Sequence, residues 1–274
     1  MKQATKKSAI LLDGRKESER ILQRLKRTVR AYRRPITLAT VVVGERYDSL
    51  LYVRLKRLAA ARVGIRTEYI HLPASTSDAA LQSVIVQLNR RRGIHGILLQ
   101  LPLPPHLNAD AAIAAMDPRK DVDGFHPKNT FVVSPPIAAV ERLLRMAKAQ
   151  ASGRVLLIGK TSVFTSQLSA RLTKLGYRST IRTPRQTNVS SRTFDCIVTA
   201  VGTGAQLTAA DIAPGAILID VGIRKQGKKT VGDVGPSCWK KAAAISPVPG
   251  GVGPLTIAYV LVNTARLATQ KKVA

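Results

Sequence analysis

Residues 36–72 read ITLATVVVGERYDSLLYVRLKRLAAARVGIRTEYIHL, and this stretch decides the fold. Ile36–Gly44 is a continuous apolar run rich in β-branched residues, the pattern of a strand buried on both faces. Ser49–Val63 follows as a helix, with Leu51, Leu55 and Leu58 predicted to face inward and Gly64 to end it. Arg66–Leu72 is a second strand. Strand, helix and strand in such quick succession ask for a parallel pair, and hence for an α/β protein. Working outward, Asp78–Arg91 is predicted as a helix with Leu81, Val84, Ile85 and Leu88 on one face. Gly93–Leu101 is a third strand, closed by Pro102, Pro104 and Pro105. Upstream, Leu22, Leu25, Val29 and Tyr32 form a helical stripe whose solvated face carries Arg20, Arg24, Lys26, Arg27 and Arg30.

A second alternating series starts near Ser152. Arg154–Gly159 (RVLLIG) is a strand, and the next helix carries Phe164, Leu168, Leu172 and Leu175. The segments YRSTIR, FDCIVTAVG and AILIDVG then follow as short strands. A helix at Ile137–Lys148 links the two series, and Pro254–Leu267 is the last helix. The expected architecture is two α/β lobes around a cleft. In such sheets the ligand lies at the carboxyl ends of the strands. That rule singles out Gly44 onward, Gln100–Pro105, Gly159–Ser162, Gly202–Gly204 and Asp220–Ile223.

Composition narrows the function. The chain has 274 residues, 45% apolar, which excludes a disordered chain. Two cysteines, Cys196 and Cys238, make no disulfide framework and no CxxC zinc pair, so a reducing, cytoplasmic setting is expected. No apolar run approaches the ~18 residues that cross a bilayer. The start MKQATKKSAILLDG lacks the apolar core of a secretory signal, although Lys2, Lys6 and Lys7 leave a short mitochondrial-type extension open. Lys and Arg number 44 against 16 acids, a net charge of +28 that invites a nucleic-acid reading. No aromatic pair, GXXG clamp or zinc-finger spacing supports specific nucleic-acid binding. Attraction of an anionic small molecule is the more modest inference.

Five constellations carry candidate chemistry. Ser49, Tyr52 and Lys56 share one face of a helix (i, i+3, i+7), placing a phenol ring near an amine. A lysine serves as a general base only where burial or a cationic neighbour lowers its pKa; otherwise the pair is a solvated basic face. Gln100 ends an apolar strand, where an unpaired amide would cost ~1–3 kcal/mol, so it orients a lysine, binds a ligand or caps the strand. In Lys120-Asp121-Val122-Asp123-Gly124, a carboxylate accepts N–H groups either from a heterocycle or within its own turn. These acids are too few for a hard-cation site, and no metal is expected. Gly159-Lys160-Thr161-Ser162 mimics a P-loop but follows an apolar strand with the wrong glycine spacing. What survives is a strand, a glycine turn and a helix, a common seat for a dinucleotide phosphate. Finally, SPVPGGVGPLT (Ser246–Thr256) joins three prolines and three glycines at a helix start, a loop suited to close approach.

Taken in order, VVVGERYDSLLYVRLKRLAAARVGI, GILLQLPLPPHL, KDVDGFHP, AILIDVGI, VGDV and SPVPGGVGPLTIAYVLVNT resemble the bifunctional methylenetetrahydrofolate dehydrogenase/cyclohydrolase (FolD-type) family over Ala9 to Leu267. The resemblance implies a folate-binding catalytic domain at 1–130 with the C-terminal helix 254–274, and a Rossmann-like nicotinamide nucleotide domain at 131–253. It implies oxidation of 5,10-methylenetetrahydrofolate with NADP to the methenyl form, then hydrolysis to 10-formyltetrahydrofolate, by a homodimer. Lys56 matches the catalytic lysine, Tyr52 the ring that stacks on folate, Gln100 the partner that tunes the lysine and Asp123 the anchor of the pterin ring. Ser49, Leu101, Pro102, Pro249, Gly250 and Gly251 complete the implied folate set. Gly159, Lys160, Thr161, Arg185, Gly202, Gly222 and Ile223 make the implied nucleotide set.

The departures fall on the nucleotide side. The family's G-R-S-x-x-V-G-x-P loop is here Gly159-Lys160-Thr161-Ser162-Val163-Phe164-Thr165-Ser166, and its H-S-R-T stretch is Pro184-Arg185-Gln186-Thr187. A P-C-T-P-x-G segment is reduced to Ser134-Pro135-Pro136. Arg185 can still pair with a phosphate. Two alternatives therefore stay open: a cyclohydrolase whose nucleotide site is impaired or prefers NAD, and a basic RNA-associated protein on the same scaffold.

Overall fold

The computed structural model describes residues 9–32, 34–159, 163–184, 191–203, 207–227 and 229–269. In chain order the elements are β1 (Ile10–Leu11), α1 (Gly14–Ala31), β2 (Thr37–Val43), α2 (Tyr47–Val63), β3 (Arg66–Leu72), α3 (Asp78–Arg90), β4 (Gly96–Leu99), α4 (Ala109–Ala114) and α5 (Pro135–Met146). They continue with β5 (Arg154–Gly159), α6 (Val163–Lys174), β6 (Arg178–Arg182), β7 (Cys196–Ala200), β8 (Ile217–Asp220), β9 (Arg224–Gln226), β10 (Lys229–Val231), β11 (Ala244–Ile245) and α7 (Val252–Ala268). The chain divides into two compact units, one made of residues through Glu17 with Pro136–Thr256, the other of Ser18–Pro135 with the residues from Ile257 on.

The Ser18–Pro135 unit is built on a parallel three-stranded sheet in the order β3-β2-β4. The central strand β2 is buried at every position but its first, as its unbroken apolar run predicts. One face of the sheet packs Leu22, Leu25 and Val29 of α1, Ala60 and Val63 of α2, and Ala258, Leu261 and Ala265 of α7 into one core. The other packs Leu81, Ile85 and Leu88 of α3 with Ile113 of α4 and Met116. Asn263 of α7 donates from Nδ2 to the carbonyls of Val122 and Val133, each at 2.9 Å. That amide satisfies two loop carbonyls that burial would otherwise strand.

The face of α2 differs from the expectation. Leu55 and Leu58 are 41% and 56% exposed, whereas Ser49, Val53, Lys56, Ala59, Ala60 and Val63 are buried. The alanines let the helix approach the sheet, and the long lysine stem adds methylenes to the buried face. A leucine count therefore picks the wrong side. Shorter corrections fall at element ends: the third strand covers Gly96–Leu99, the linking helix Pro135–Met146 and the last helix Val252–Ala268.

The second unit holds a six-stranded sheet in the order β1-β11-β8-β7-β5-β6, with every pair parallel. β5 pairs with both β6 and β7, so the chain winds one way from β5 and then returns to its other side. This is a topological switch point at the carboxyl ends of β5 and β7. The flanking core includes Leu156, Ile197, Leu218 and Ile245. β9 and β10 form a separate antiparallel hairpin.

Candidate active site

Lys56 sits in the middle of α2 on its buried face, and its Nζ donates to Gln100 Oε1 at 2.9 Å. Gln100 is the residue immediately after β4, and its own Nε2 donates to the Leu101 carbonyl at 2.7 Å. With both ends engaged, the amide presents its oxygen to the amine. Burial lowers the Lys56 pKa from its ordinary value, and the nearby Asp123 carboxylate opposes that shift in part. A lysine so placed holds a larger neutral fraction near neutral pH than an exposed one. The bond from Leu101 to Pro102 is cis.

The two acids of Asp121-Val122-Asp123 have separate jobs. Asp121 is buried, and its carboxylate accepts from the backbone N–H of Asp123 (3.0 Å), Gly124 (3.0 Å) and His126 (2.8 Å). It is the turn-forming carboxylate. Asp123 is thereby carried past the turn into electrostatic range of Lys56, where burial pushes its carboxyl up to about 7 against the pull of the lysine, with Asp121 adding to the rise. Lys120 is spent on the end of α3, its Nζ donating to the carbonyls of Leu88 (3.1 Å), Asn89 (2.8 Å) and Arg91 (2.8 Å). Tyr52 is part-buried one turn before Lys56, and burial, aided by Asp48, raises its phenol pKa. Ser49 is buried on the same helix face. Lys56, Gln100 and Asp123, far apart in sequence, are thus brought together within one unit.

Pro249, Gly250 and Gly251 belong to the other unit and form the turn that leads into α7 after a cis Val248–Pro249 bond. The close approach they permit is to the chain itself. A Cβ on Gly14 would lie 1.8 Å from the Gly251 carbonyl oxygen, and Arg15 N donates to the Gly250 carbonyl at 3.0 Å.

The nucleotide set is organised by two buried acids that the sequence reading gave no role. Asp233 accepts from Thr199 Oγ1 (2.8 Å) and from the backbone N–H of Val201 (2.8 Å), Gly202 (3.0 Å) and Thr203 (3.2 Å). Asp220, at the end of β8, accepts from Gly222 N (3.0 Å) and Val234 N (2.8 Å), and burial lifts its carboxyl to about 7. A Cβ on Gly222 would stand 2.0 Å from Asp233 Oδ2, so only glycine leaves room for that carboxylate. Gly202 and Gly222 therefore owe their positions to acid-to-backbone pins, and Ile223 stands 43% exposed beside them. The motif VGDV was visible, but a carboxylate's partners across the fold are not written beside it. Gly159 is buried at the end of β5, at the switch point, with α6 starting four residues later. Lys160, Thr161 and Arg185 lie outside the described residues. The described part of the set, a glycine at the switch point followed by a helix start and backed by a pinned glycine loop, fits a dinucleotide. No group of three or more potential metal ligands is present among the described residues.

Comparison with known proteins agrees with this arrangement. Residues 12–123 match the model of the tetrahydrofolate dehydrogenase/cyclohydrolase catalytic domain, and residues 135–272 that of the tetrahydrofolate dehydrogenase/cyclohydrolase NAD(P)-binding domain. The bifunctional protein FolD of Desulfovibrio desulfuricans is 38% identical over 282 residues, covering 96% of this chain and 99% of its own. The crystal structure of the bifunctional FolD enzyme of Campylobacter jejuni superposes with a TM-score of 0.91 at 32% identity, covering 96% of this chain and all of that one. The Trypanosoma brucei methylenetetrahydrofolate dehydrogenase-cyclohydrolase, solved with NADP and an inhibitor, also gives 0.91 at 32% identity over 96% of this chain and 98% of that one. Two matched domain models in the right order, together with relatives of full length, establish the family. This chain belongs to the tetrahydrofolate dehydrogenase/cyclohydrolase family.

Proposed function

We propose that the chain oxidises 5,10-methylenetetrahydrofolate to 5,10-methenyltetrahydrofolate with NADP and then hydrolyses the product to 10-formyltetrahydrofolate. The observation that carries the residue assignment is the Lys56 Nζ to Gln100 Oε1 hydrogen bond on a buried helix face within reach of the Asp123 charge. Asp123 anchors the pterin ring by accepting its N–H groups, and Tyr52 stacks on the ring. Ser49, Leu101, Pro102 and the Pro249-Gly250-Gly251 loop complete the folate contacts. Loss of hydride leaves a cationic one-carbon bridge, beside which a neutral Lys56 is electrostatically favoured over an ammonium. Its amine, oriented by Gln100, takes a proton from the water that attacks the bridge carbon; the bond from that carbon to N5 then breaks, and the proton passes to N5, leaving the formyl group on N10. Asp123 supports the same step by compensating the charge that Lys56 acquires.

Bound NADP supplies the hydride acceptor. Gly159, Gly202, Gly222 and Ile223 hold it together with Lys160, Thr161 and Arg185. We assign the folate work to residues 1–130 with 254–274 and the nucleotide work to 131–253. The same family resemblance supports a homodimer and a cytoplasmic setting, with no membrane and no specific nucleic acid as partner. No described helix is long and apolar enough to cross a membrane.

The altered loops at 159–166 and 184–187 are where this chain departs from the family pattern, so the choice between NADP and NAD is put to direct test. Purified protein given methylenetetrahydrofolate with NADP, and separately with NAD, decides by methenyl absorbance. Product with NADP at the higher rate supports the main reading. Turnover of supplied methenyl-folate with no dehydrogenation by either cofactor leaves a cyclohydrolase alone, and silence in both assays removes the proposal.

A further inference from the structure

We infer that the unit carrying Lys56 holds a second binding site, a basic pocket at the opposite edge of its sheet that takes a compact polyphosphate, free or borne on a nucleoside. The pocket encloses about 470 Å³ and lies where α1 and α2 end and β2 and β3 begin. That volume falls in the range of small-molecule sites. Its floor rests on Val29, Ile36 and Val63, which are buried, so the surface it offers a ligand is mostly polar. Five cations line it: Lys26, Arg30, Arg34, Arg62 and Arg66. No acid lines it.

The pairing of these cations is uneven. Arg62 is engaged by Glu19 through two hydrogen bonds, at 2.9 and 2.5 Å. Lys26, Arg30, Arg34 and Arg66 make no ion pair among the described residues. Four unneutralised cations around one concavity repel each other, and the negative carbonyl ends of α1 and α2 relieve that only in part. A ligand that brings about four negative charges removes the repulsion, and a triphosphate chain carries that charge in a compact form. Guanidinium groups, three of the four, present forked donors that match phosphate oxygens two at a time.

A small ligand is favoured over an RNA strand by the shape of the site. The cations line one hollow rather than a groove, which suits a single anionic head. A strand needs charges spaced along a groove with rings on which successive bases stack. The inference is independent of the folate reading, since no proposed folate or nucleotide residue lines this pocket.

The test is calorimetric titration of the full chain at 150 mM salt with tripolyphosphate, ATP, inorganic phosphate and a 20-nucleotide RNA. Saturable one-to-one binding of tripolyphosphate or ATP is expected, at least about tenfold tighter than inorganic phosphate. The double variant Arg30→Glu/Arg66→Glu is expected to weaken it about tenfold or more, and Arg30→Gln/Arg66→Gln by a smaller factor in the same direction. Lys174→Glu/Lys229→Glu, exposed residues of the other unit, changes the net charge equally and is expected to alter binding less than about twofold. Tighter binding of ATP than of tripolyphosphate assigns the floor to a nucleoside, and equal binding assigns the site to the phosphate chain alone. Equal weakening by both double variants overturns the inference in favour of diffuse attraction. Binding of RNA alone, or no saturable binding of any probe, also overturns it.

Discussion

Each unit of this protein places a pair of aspartates close in the fold, and the pairs are used in opposite ways. In the nucleotide unit, Asp220 and Asp233 both accept backbone N–H groups, and their work is to fix the loops around Gly202 and Gly222. In the folate unit, Asp121 alone does that work, and the turn it makes leaves Asp123 within electrostatic range of the buried amine of Lys56. Burial raises both Asp123 and Asp220 to about 7. The same shift has different meanings: for Asp220 it is a cost of holding a loop, whereas for Asp123 it places a titration where a bound heterocycle and a neighbouring lysine respond to it. A perturbed carboxylate therefore marks a site only when its acceptor capacity is not already filled by the chain.

The largest test of this contrast removes the amine. Lys56→Met is expected to lower the cyclohydrolase rate by about 10²–10⁴-fold, while thermal unfolding shifts by no more than a few degrees. A loss of folding that matches the loss of turnover would place Lys56 with the structural groups. Next in size is Asp233→Ala. It strands a hydroxyl and three backbone N–H groups, and is expected to cost about 3 kcal/mol in chemical denaturation. Folate binding by the other unit should survive wherever the variant remains folded.

The pH dependence of folate affinity comes third. With Asp123 near 7 in the free protein, the carboxylate that accepts pterin N–H groups is depleted as pH falls. Affinity is expected to weaken by about tenfold between pH 8 and pH 6. Asp123→Asn should bind weakly and without that slope. In Lys56→Met, loss of the attracting cation should move the inflection to higher pH. The smallest effect is on stability. The folded-state pKa of Asp220, about 7, lies above the ~3.9 of an unfolded aspartate, so the folded chain holds the extra proton between them. Its contribution is intact below pH ~4 and is lost as pH rises to about 7, with a slope of at most about 1.4 kcal/mol per pH unit. Comparing wild type with Asp220→Asn by denaturant titration isolates this term as the difference in slope.

Where burial is symmetrical the sequence was easy to read. β5 spans the residues its apolar run predicts, and β2 starts one residue later than Ile36. On α2 the leucine pattern points to the wrong face, because alanines set the approach to the sheet and Leu55 and Leu58 lie outside. β1 and β11 are two residues each, below any periodic signal, and exist because parallel neighbours complete their hydrogen bonds. In the site, spacing puts Ser49, Tyr52 and Lys56 on one face and the cost of an unpaired amide marks Gln100, but each leaves a non-catalytic alternative open, and it is the family resemblance that gives them roles. The division of labour between Asp121 and Asp123 was not legible, because both look alike until the backbone folds onto one of them. Asp233 and Asn263 were invisible as pins for a related reason: their partners lie at least 30 residues away.

The last turns of α7 lend Ala258, Leu261 and Ala265 to a core whose other members come from the first half of the chain. Emerging from the ribosome, that half has its sheet but lacks one wall of its interior until residues 257–268 have been made. A product stalled before residue 257 would therefore expose the uncovered apolar face of that sheet to chaperones and proteases.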